Sequence, residues 1–427
     1  MKIEDLLTAL DVPFRPGSEK MELYDAGRSF AFDKFFQKYQ GQYQSPSIQP
    51  TTHSQRSEWQ NVKEHSVYQR SDYTPSNTEA LLNSFYKPIS GKQPRTLLFN
   101  SGMGAISTLL FFLNNTLKTK RMLVGRNCYF ETKWLFDDSG NCQYWNEYLP
   151  LPKTSASAVW IEYPINCTTP HRYPFSQSSQ DKHVVRAVKY LCQKANKRPN
   201  QEFFLVIDYT LFYLPLETHL FDELPENVSL FLITSLQKHR TYGFDLFNGG
   251  AITFFTKSEE REEKLKLLRG SLGTNFTQEA SWIHFPFQSQ VINKLITDSG
   301  KNAQNVFRKL PKFDGITYFF ADNDTFLSSF IFAKIEPSIM KRYKNGTFYS
   351  EQLIAAIIKA ASKQNTVIIQ GTSFGFPFTR IFKNSERYEN TNSLRLAIGF
   401  DEEMNESVAQ AIIEGTQSFL NQIRKEK

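Results

Sequence analysis

The chain has 427 residues, 40% of them hydrophobic, which is enough to bury a large core and suggests roughly two to three structural units. Its 50 basic and 43 acidic residues leave a net charge of +7 without any long run of like charges, which argues against a nucleic-acid partner. With no CxxC pair, no apolar stretch long enough to cross a membrane and no signal core, we expect a soluble cytoplasmic protein that has no membrane partner, disulfide framework or metal site.

Three regions follow one another along the chain. Residues 1–80 are polar, and the Gln/Ser-rich part carries no hydrophobic periodicity, so we predict an irregular arm. Residues 81–288 alternate short apolar runs with helical stretches, which is typical of a mostly parallel sheet covered on both faces. Residues 289–427 carry mixed helix and strand patterns, which predict a smaller α+β domain. The fold class is therefore α/β.

Two polar residues follow neighbouring predicted strands of the large domain. Asp208 ends the apolar run FFLVID, and Lys238 follows the next run, VSLFLIT, within SLQK. Open α/β sheets bind ligands at the carboxyl ends of their strands. A pyridoxal cofactor needs this pair, because a carboxylate keeps the ring nitrogen protonated and an amine forms the imine. A turn-forming aspartate and a solvated lysine are the simpler interpretation of each residue alone.

A third feature points to phosphate. The segment FNSGMGAIST leaves a predicted strand through a turn and enters an apolar helix, so the backbone N–H groups of Gly102 and Met103 could hold an anion. An ordinary strand–turn–helix connection would have the same pattern.

Taken together, these segments resemble the cystathionine γ-synthase/γ-lyase family, the Cys/Met-metabolism branch of fold-type-I pyridoxal-phosphate enzymes. From the Asp of VID onward, the family pattern is matched in order: Asp, Thr, Pro, Ser-x-x-Lys, a later Asp and Gly-Gly. Similar segments occur in the same order over residues 66–403, namely VYQRSDYTPSNTEALLNSF, NSGMGAI, NCYFETKWLF, WIEYPINC and SLRLAIGFDEE. The resemblance implies the aminotransferase-like fold with a seven-stranded central sheet.

The resemblance also implies residue roles. Lys238 would hold pyridoxal 5'-phosphate as a Schiff base, Asp208 would pair with the pyridine nitrogen, and Tyr129 would stack on the ring. The remaining cofactor contacts would come from Gly102, Met103, Asn166, Thr210 and Ser235, and from Tyr68 and Arg70 in the arm of a neighbouring subunit. Arg395 and Ser373 would bind the substrate α-carboxylate. Because the arm would complete a neighbouring site, the resemblance implies a homodimer or tetramer.

Some family positions are altered. Tyr209 follows Asp208 where the family has Asn, Gln237 replaces a hydroxyl residue before the lysine, and FPFTRIFKNSERYENTN replaces one wall of the substrate pocket. The phenylalanines of that segment suggest an apolar or bulky substrate side chain. We expect Cα deprotonation of an L-amino acid followed by elimination or replacement at Cγ or Cβ. Transamination on the same scaffold, and a non-catalytic homologue with a binding role, remain alternatives.

Overall fold

The computed structural model describes residues 1–40, 76–117, 121–126, 128–146, 150–163, 180–211, 221–276, 289–322, 327–339, 346–386 and 389–425. Of the residues given roles from sequence, Tyr68, Arg70 and Asn166 lie outside these ranges.

The large domain is built on a seven-stranded sheet. Its strands are β1 Pro94–Phe99, β2 Met122–Gly125, β3 Cys142–Trp145, β4 Ala158–Glu162, β5 Phe203–Asp208, β6 Val228–Ser235 and β7 Gly250–Phe255. Their spatial order is β1-β7-β6-β5-β4-β2-β3, and β7 alone among them runs antiparallel to its neighbours. The predicted mostly parallel sheet of seven strands is confirmed, although the sequence had not indicated the edge strand β3.

Helices cover both faces of this sheet, which is why its central strands are continuously apolar. They are α3 Ser76–Asn83, α4 Gly102–Leu117, α5 Phe130–Ser139, α6 Gln180–Lys197 and α7 Glu259–Ser271. Alternate residues of β5 enter different cores. Leu205 and Ile207 pack in the core that contains α6, whereas Phe204 and Val206 pack in the core that contains α4. The apolar residues that are buried on both faces run up to Asp208, which is the last residue of β5.

The C-terminal domain has a five-stranded sheet in the order β10-β11-β12-β9-β8. Its strands are β8 Ile316–Asp322, β9 Leu327–Ile335, β10 Ile368–Gln370, β11 Thr379–Glu386 and β12 Glu389–Ala397, with helices α8 Ser289–Lys309, α9 Gly346–Lys363 and α10 Asn405–Lys425. One face carries Ile331, Leu394 and Leu396 into a core shared with these helices. Much of the segment FPFTRIFKNSERYENTN is the β11–β12 hairpin, since β11 pairs antiparallel with β12.

The N-terminal residues are helical, so the irregular structure predicted for residues 1–80 is wrong for residues 1–40. Helix α1 spans Ile3–Ala9 and α2 spans Lys20–Gln40. Both bury apolar side chains in the C-terminal core. Gly27 of α2 packs so tightly that an added Cβ would lie 2.5 Å from a Leu7 methyl carbon and 2.7 Å from the Phe244 ring. Because the α2 side of this contact is a glycine, it adds nothing to a hydrophobic stripe in the sequence.

None of the helices described by the structure is both long and apolar enough to cross a membrane. Within the same ranges, no three His, Cys, Asp or Glu side chains are grouped so that they could hold a metal ion.

Candidate active site

The carboxyl ends of β5 and β6 are tied together by side chains. The Asp208 carboxylate accepts a hydrogen bond from the Thr210 backbone N–H at 3.0 Å. The Thr210 hydroxyl in turn accepts the Ser235 backbone N–H at 3.0 Å. Because the two strands are parallel neighbours, with Asp208 in register with Ile233, these contacts hold their last residues at one edge of the sheet. Three predicted cofactor residues therefore lie together.

Asp208 is a buried carboxylate with only 6% of its surface exposed. Burial raises the pKa of its carboxyl group, and the hydrogen bonds from Thr210 oppose that shift. Across the described ranges, no lysine, arginine or histidine forms an ion pair with it. A buried carboxylate of this kind is stabilised by a cationic group of a ligand.

The start of α4 lies against the end of β6. The Ser101 hydroxyl accepts the Gly104 backbone N–H at 2.9 Å, whereas in the described structure the N–H groups of Gly102 and Met103 have no acceptor. An ideal Cβ on Gly102 would lie only 3.1 Å from the Cβ of Ser235, so any side chain there would push the two segments apart by a few tenths of an ångström. The open N–H groups at a helix N-terminus favour an anion.

Lys238 follows β6 and precedes a short 3-10 turn, His239–Thr241. Its amine donates a hydrogen bond to the Ser373 hydroxyl at 2.8 Å and lies 5.6 Å from the centre of the Phe374 ring. Burial, together with the positive charge of Arg395, lowers the pKa of this amine from 10.5 to about 8. The lysine is thus enclosed and partly unprotonated near neutral pH.

Arg395 lies on β12, and only 5% of its surface is exposed. Its guanidinium donates to the Thr372 carbonyl, and its central carbon lies 4.9 Å from the centre of the Phe330 ring. Burial lowers the pKa of Arg395, and the neighbouring Tyr129 and Glu162 oppose the shift. Since Thr372 precedes Ser373, one turn after β10 contacts both Arg395 and Lys238. The two predicted substrate residues are therefore beside the predicted Schiff-base lysine.

Tyr129 immediately precedes α5, and its ring centre lies 4.6 Å from that of Phe130. Burial is the largest cause of a raised pKa at its hydroxyl, Glu131 adds to it, and Arg395 opposes it. Tyr129 therefore lies on the Arg395 side of the site. Its predicted stacking on a cofactor ring stays a prediction.

Several residues near the site had not been singled out from sequence. Glu162 ends β4 in register with Asp208, and this strand-end position was a signal that could have identified it. Phe374 covers the lysine amine. Asp245 accepts a hydrogen bond from the side-chain amide of Gln237, the residue that the sequence had already marked as altered. Arg380 lowers the pKa of Lys238, although burial and Arg395 lower it more.

Comparison with solved structures identifies the fold. It is similar to cystathionine gamma synthase from Xanthomonas oryzae pv. oryzae at 15% identity, with 85% of this chain and 89% of that chain covered and a TM-score of 0.54. For cystathionine gamma-lyase from Lactobacillus plantarum, the identity is 16%, the match covers 82% of this chain and 88% of that chain, and the TM-score is 0.54. For CalE6, a methionine gamma lyase from Micromonospora echinospora, the identity is 15%, the match covers 86% of this chain and 92% of that chain, and the TM-score is 0.55. The fold implied by the sequence resemblance is confirmed.

Sequence comparison gives a shorter match. The chain is 36% identical over 64 residues to the bifunctional enzyme flvA of Aspergillus flavus, a match that covers 15% of this chain and 8% of that protein's length. No protein-family model matches the chain.

Proposed function

We propose that the protein is a pyridoxal-phosphate enzyme that removes the Cα proton of an L-amino acid and then eliminates or replaces a group at Cγ or Cβ. The observation that carries the proposal is the environment of Lys238. Lys238 is partly exposed, but burial of its amine lowers the pKa to about 8, and the residue follows the strand next to the one that ends at Asp208. A lysine of this kind is suited both to form an imine and to move protons.

The described residues fit the cofactor at three points. Lys238 would carry it, Asp208 would face the ring nitrogen, and the N–H groups of Gly102 and Met103 would hold the phosphate with Ser235 and Thr210. The fit rests on the open N–H groups, on the close approach of Gly102 to Ser235, and on a buried carboxylate that lacks a cationic partner. Tyr129 would lie against one ring face. Asn166, Tyr68 and Arg70 are proposed to add contacts.

When bound, pyridoxal phosphate supplies an electron sink for the bond pair released at Cα. Lys238 would be the base that takes the Cα proton, since a pKa of about 8 leaves roughly a tenth of the amine unprotonated at about pH 7. The Ser373 hydroxyl accepts a hydrogen bond from this amine and so directs it. Loss of a group at Cγ also requires removal of a Cβ proton, whose bond pair expels the leaving group. Once it has passed on the Cα proton, the Lys238 amine would take this second proton as well.

Two residues would fix the geometry and charge of this reaction. Arg395 would bind the substrate α-carboxylate through its guanidinium, which the Thr372 carbonyl and the Phe330 ring already hold in place. Asp208 would keep a proton on the ring nitrogen, because its buried carboxylate is stabilised by a cation beside it.

Transamination is a second candidate, since it uses the same cofactor contacts. Product analysis separates the two reactions. Elimination releases ammonia together with a keto acid and the leaving group, whereas transamination releases a keto acid without ammonia and requires a second substrate that accepts the amino group. A third candidate is a non-catalytic protein that keeps the fold for binding.

The test is the visible absorbance of the protein purified with pyridoxal phosphate. The wild type should be yellow and should bleach with hydroxylamine, whereas Lys238→Ala should not show the imine band. The matched control is Lys92→Met, because Lys92 is also buried and burial also lowers its pKa to about 8, but its amine donates to the carbonyls of Pro225 and Val228. A wild type that stays colourless with added cofactor would refute the proposal.

We also propose that the protein is a homodimer or tetramer in which the arm, residues 1–80, completes a neighbouring site. The described helices α1 and α2 pack on their own C-terminal core, so the part that would reach the neighbour is the segment beyond them. Mixing Arg70→Ala and Lys238→Ala chains should restore activity if sites are shared. A mixture that stays inactive would contradict shared sites.

A further inference from the structure

The second face of the C-terminal sheet carries two arginines. In the β11–β12 pair, Arg380 lies opposite Ala397 and Phe382 lies opposite Arg395. Directly opposite residues share a face and so do residues two apart, which places Arg380 and Arg395 on one face as diagonal neighbours. The Cα atoms of such neighbours are about 7–8 Å apart.

This face is lined by aromatic side chains. Phe330, Phe332 and Phe374 form a buried cluster with Ala397, while the hydrophobic residues of the opposite face pack under the helices. Arg395 projects from this cluster next to the turn that holds Ser373. Arg380 lies at the other end of the same turn, with its guanidinium carbon 3.8 Å from the centre of the Phe376 ring.

Among the described residues, no carboxylate forms an ion pair with Arg380. Within the described residues its guanidinium makes no hydrogen bond and no ion pair, and its Nε atom is buried without an acceptor. Asp245 is the neighbouring carboxylate, but it accepts the Gln237 amide instead. The Arg380 side chain is half-buried, and only its Nε atom is withdrawn from water without an acceptor. Its terminal N–H groups are therefore available to a ligand that supplies an anion.

The stacking on Phe376 defines how such an anion would bind. A guanidinium that lies against a ring donates its N–H groups in its own plane, and that planar fork matches a carboxylate or phosphate. Close packing also holds the side chain, because an ideal Cβ on Gly371 would lie 3.2 Å from an Arg380 terminal nitrogen. Gly371, against which Arg380 packs, lies two residues before the Ser373 hydroxyl that accepts the Lys238 amine, so Arg380 and Lys238 contact the same turn.

We propose that Arg380 binds a second anionic group of the amino-acid substrate, a carboxylate or phosphate at the end of its side chain, while Arg395 binds the α-carboxylate. The inference rests on the proposed function. It replaces the apolar substrate suggested by the phenylalanines of this segment. Phe376 lies against Arg380, Phe378 is buried in the C-terminal core, and Phe382 stacks with Phe130.

The experiment measures equilibrium binding of amino acids to the cofactor-loaded protein, from the absorbance change of the bound cofactor and by calorimetry. The probes are L-glutamate, its longer homologue L-aminoadipate, the phosphonate analogue of glutamate, and the neutral amide L-glutamine. We expect at least one anionic probe to bind about ten- to a hundredfold more tightly than the amide. The carboxylate and phosphonate probes distinguish the two kinds of anion.

The variant Arg380→Met should abolish this preference and leave the affinity for glutamine unchanged. The matched control is Lys383→Met, on the same strand, where the lysine pairs with the exposed Glu351. This control should keep the wild-type preference.

Three results would overturn the inference. They are equal affinity for the anionic and neutral probes in the wild type, a preference that survives in Arg380→Met, and a change of subunit assembly in Arg380→Met without a change of preference. The last result would mean that Arg380 pairs with a neighbouring subunit. Failure of the proposed function is distinguishable, because no amino acid would then perturb the cofactor spectrum at all.

Discussion

Replacing Lys238 with methionine should stabilise the cofactor-free protein. Burial lowers the pKa of the Lys238 amine from 10.5 to about 8, and this difference corresponds to ~3 kcal/mol of penalty for holding the charged amine in the folded state. Methionine has a similar length and no charge. The variant should therefore gain ~3 kcal/mol of stability at about pH 7, less the small contribution of the lost hydrogen bond to Ser373.

The gain should depend on pH in a defined direction. Below about pH 8 the amine is charged in both states, so the folded wild type bears the whole penalty. Between about 8 and 10.5 the unfolded chain binds the proton and the folded chain does not, so wild-type stability rises with pH. Above that window the amine is neutral in both states, and the difference between the two proteins should have faded.

The assay is urea denaturation of both cofactor-free proteins across this pH range, compared as differences in the denaturation midpoint. Lys312→Met is the control, because Lys312 is exposed and its charge is solvated in both states. A Lys238→Met gain that stays constant with pH, or a loss that grows as the pH falls, would refute the burial of this amine.

Three other changes test separate parts of the structure. Gly102→Ala should weaken pyridoxal phosphate binding by roughly tenfold or more, measured by cofactor titration, because its Cβ would lie 3.1 Å from that of Ser235; unchanged affinity would contradict the phosphate site. Arg395→Met should weaken amino-acid binding by about ten- to a hundredfold while cofactor binding persists, and equal loss of both would argue against a substrate role. Arg269→Met should destabilise the protein by ~3–5 kcal/mol in thermal denaturation. In the wild type Arg269 pairs with the buried Glu79 carboxylate at 2.7 Å, and the variant leaves that carboxylate without its partner. A change as small as that of the exposed Lys309→Met would contradict this prediction.

Much of the large domain was predictable, because strands buried on both faces must be continuously apolar. This is how β5 and β6, and with them Asp208 and Lys238, could be placed at strand ends. The edge strand β3 was not predictable in this way. Three of its four residues are only partly buried, so CQYW lacks an apolar run.

The residues missed from sequence depend on contacts between distant segments. Helix α2 packs through Gly27, and the absence of a side chain that allows this contact also removes the hydrophobic signal. Strand β11 carries charged residues, so its sequence does not show that Arg380 lies on the same sheet face as Arg395. Only the pairing register reveals that relation.

The most direct test of the cofactor site is borohydride reduction of the protein purified with pyridoxal phosphate, followed by peptide mass spectrometry. Reduction fixes the cofactor to the lysine that carries it. The account predicts the label on the peptide that contains Lys238. A label on Lys92, a buried lysine whose pKa is also lowered to about 8, or no labelled peptide at all, would contradict it.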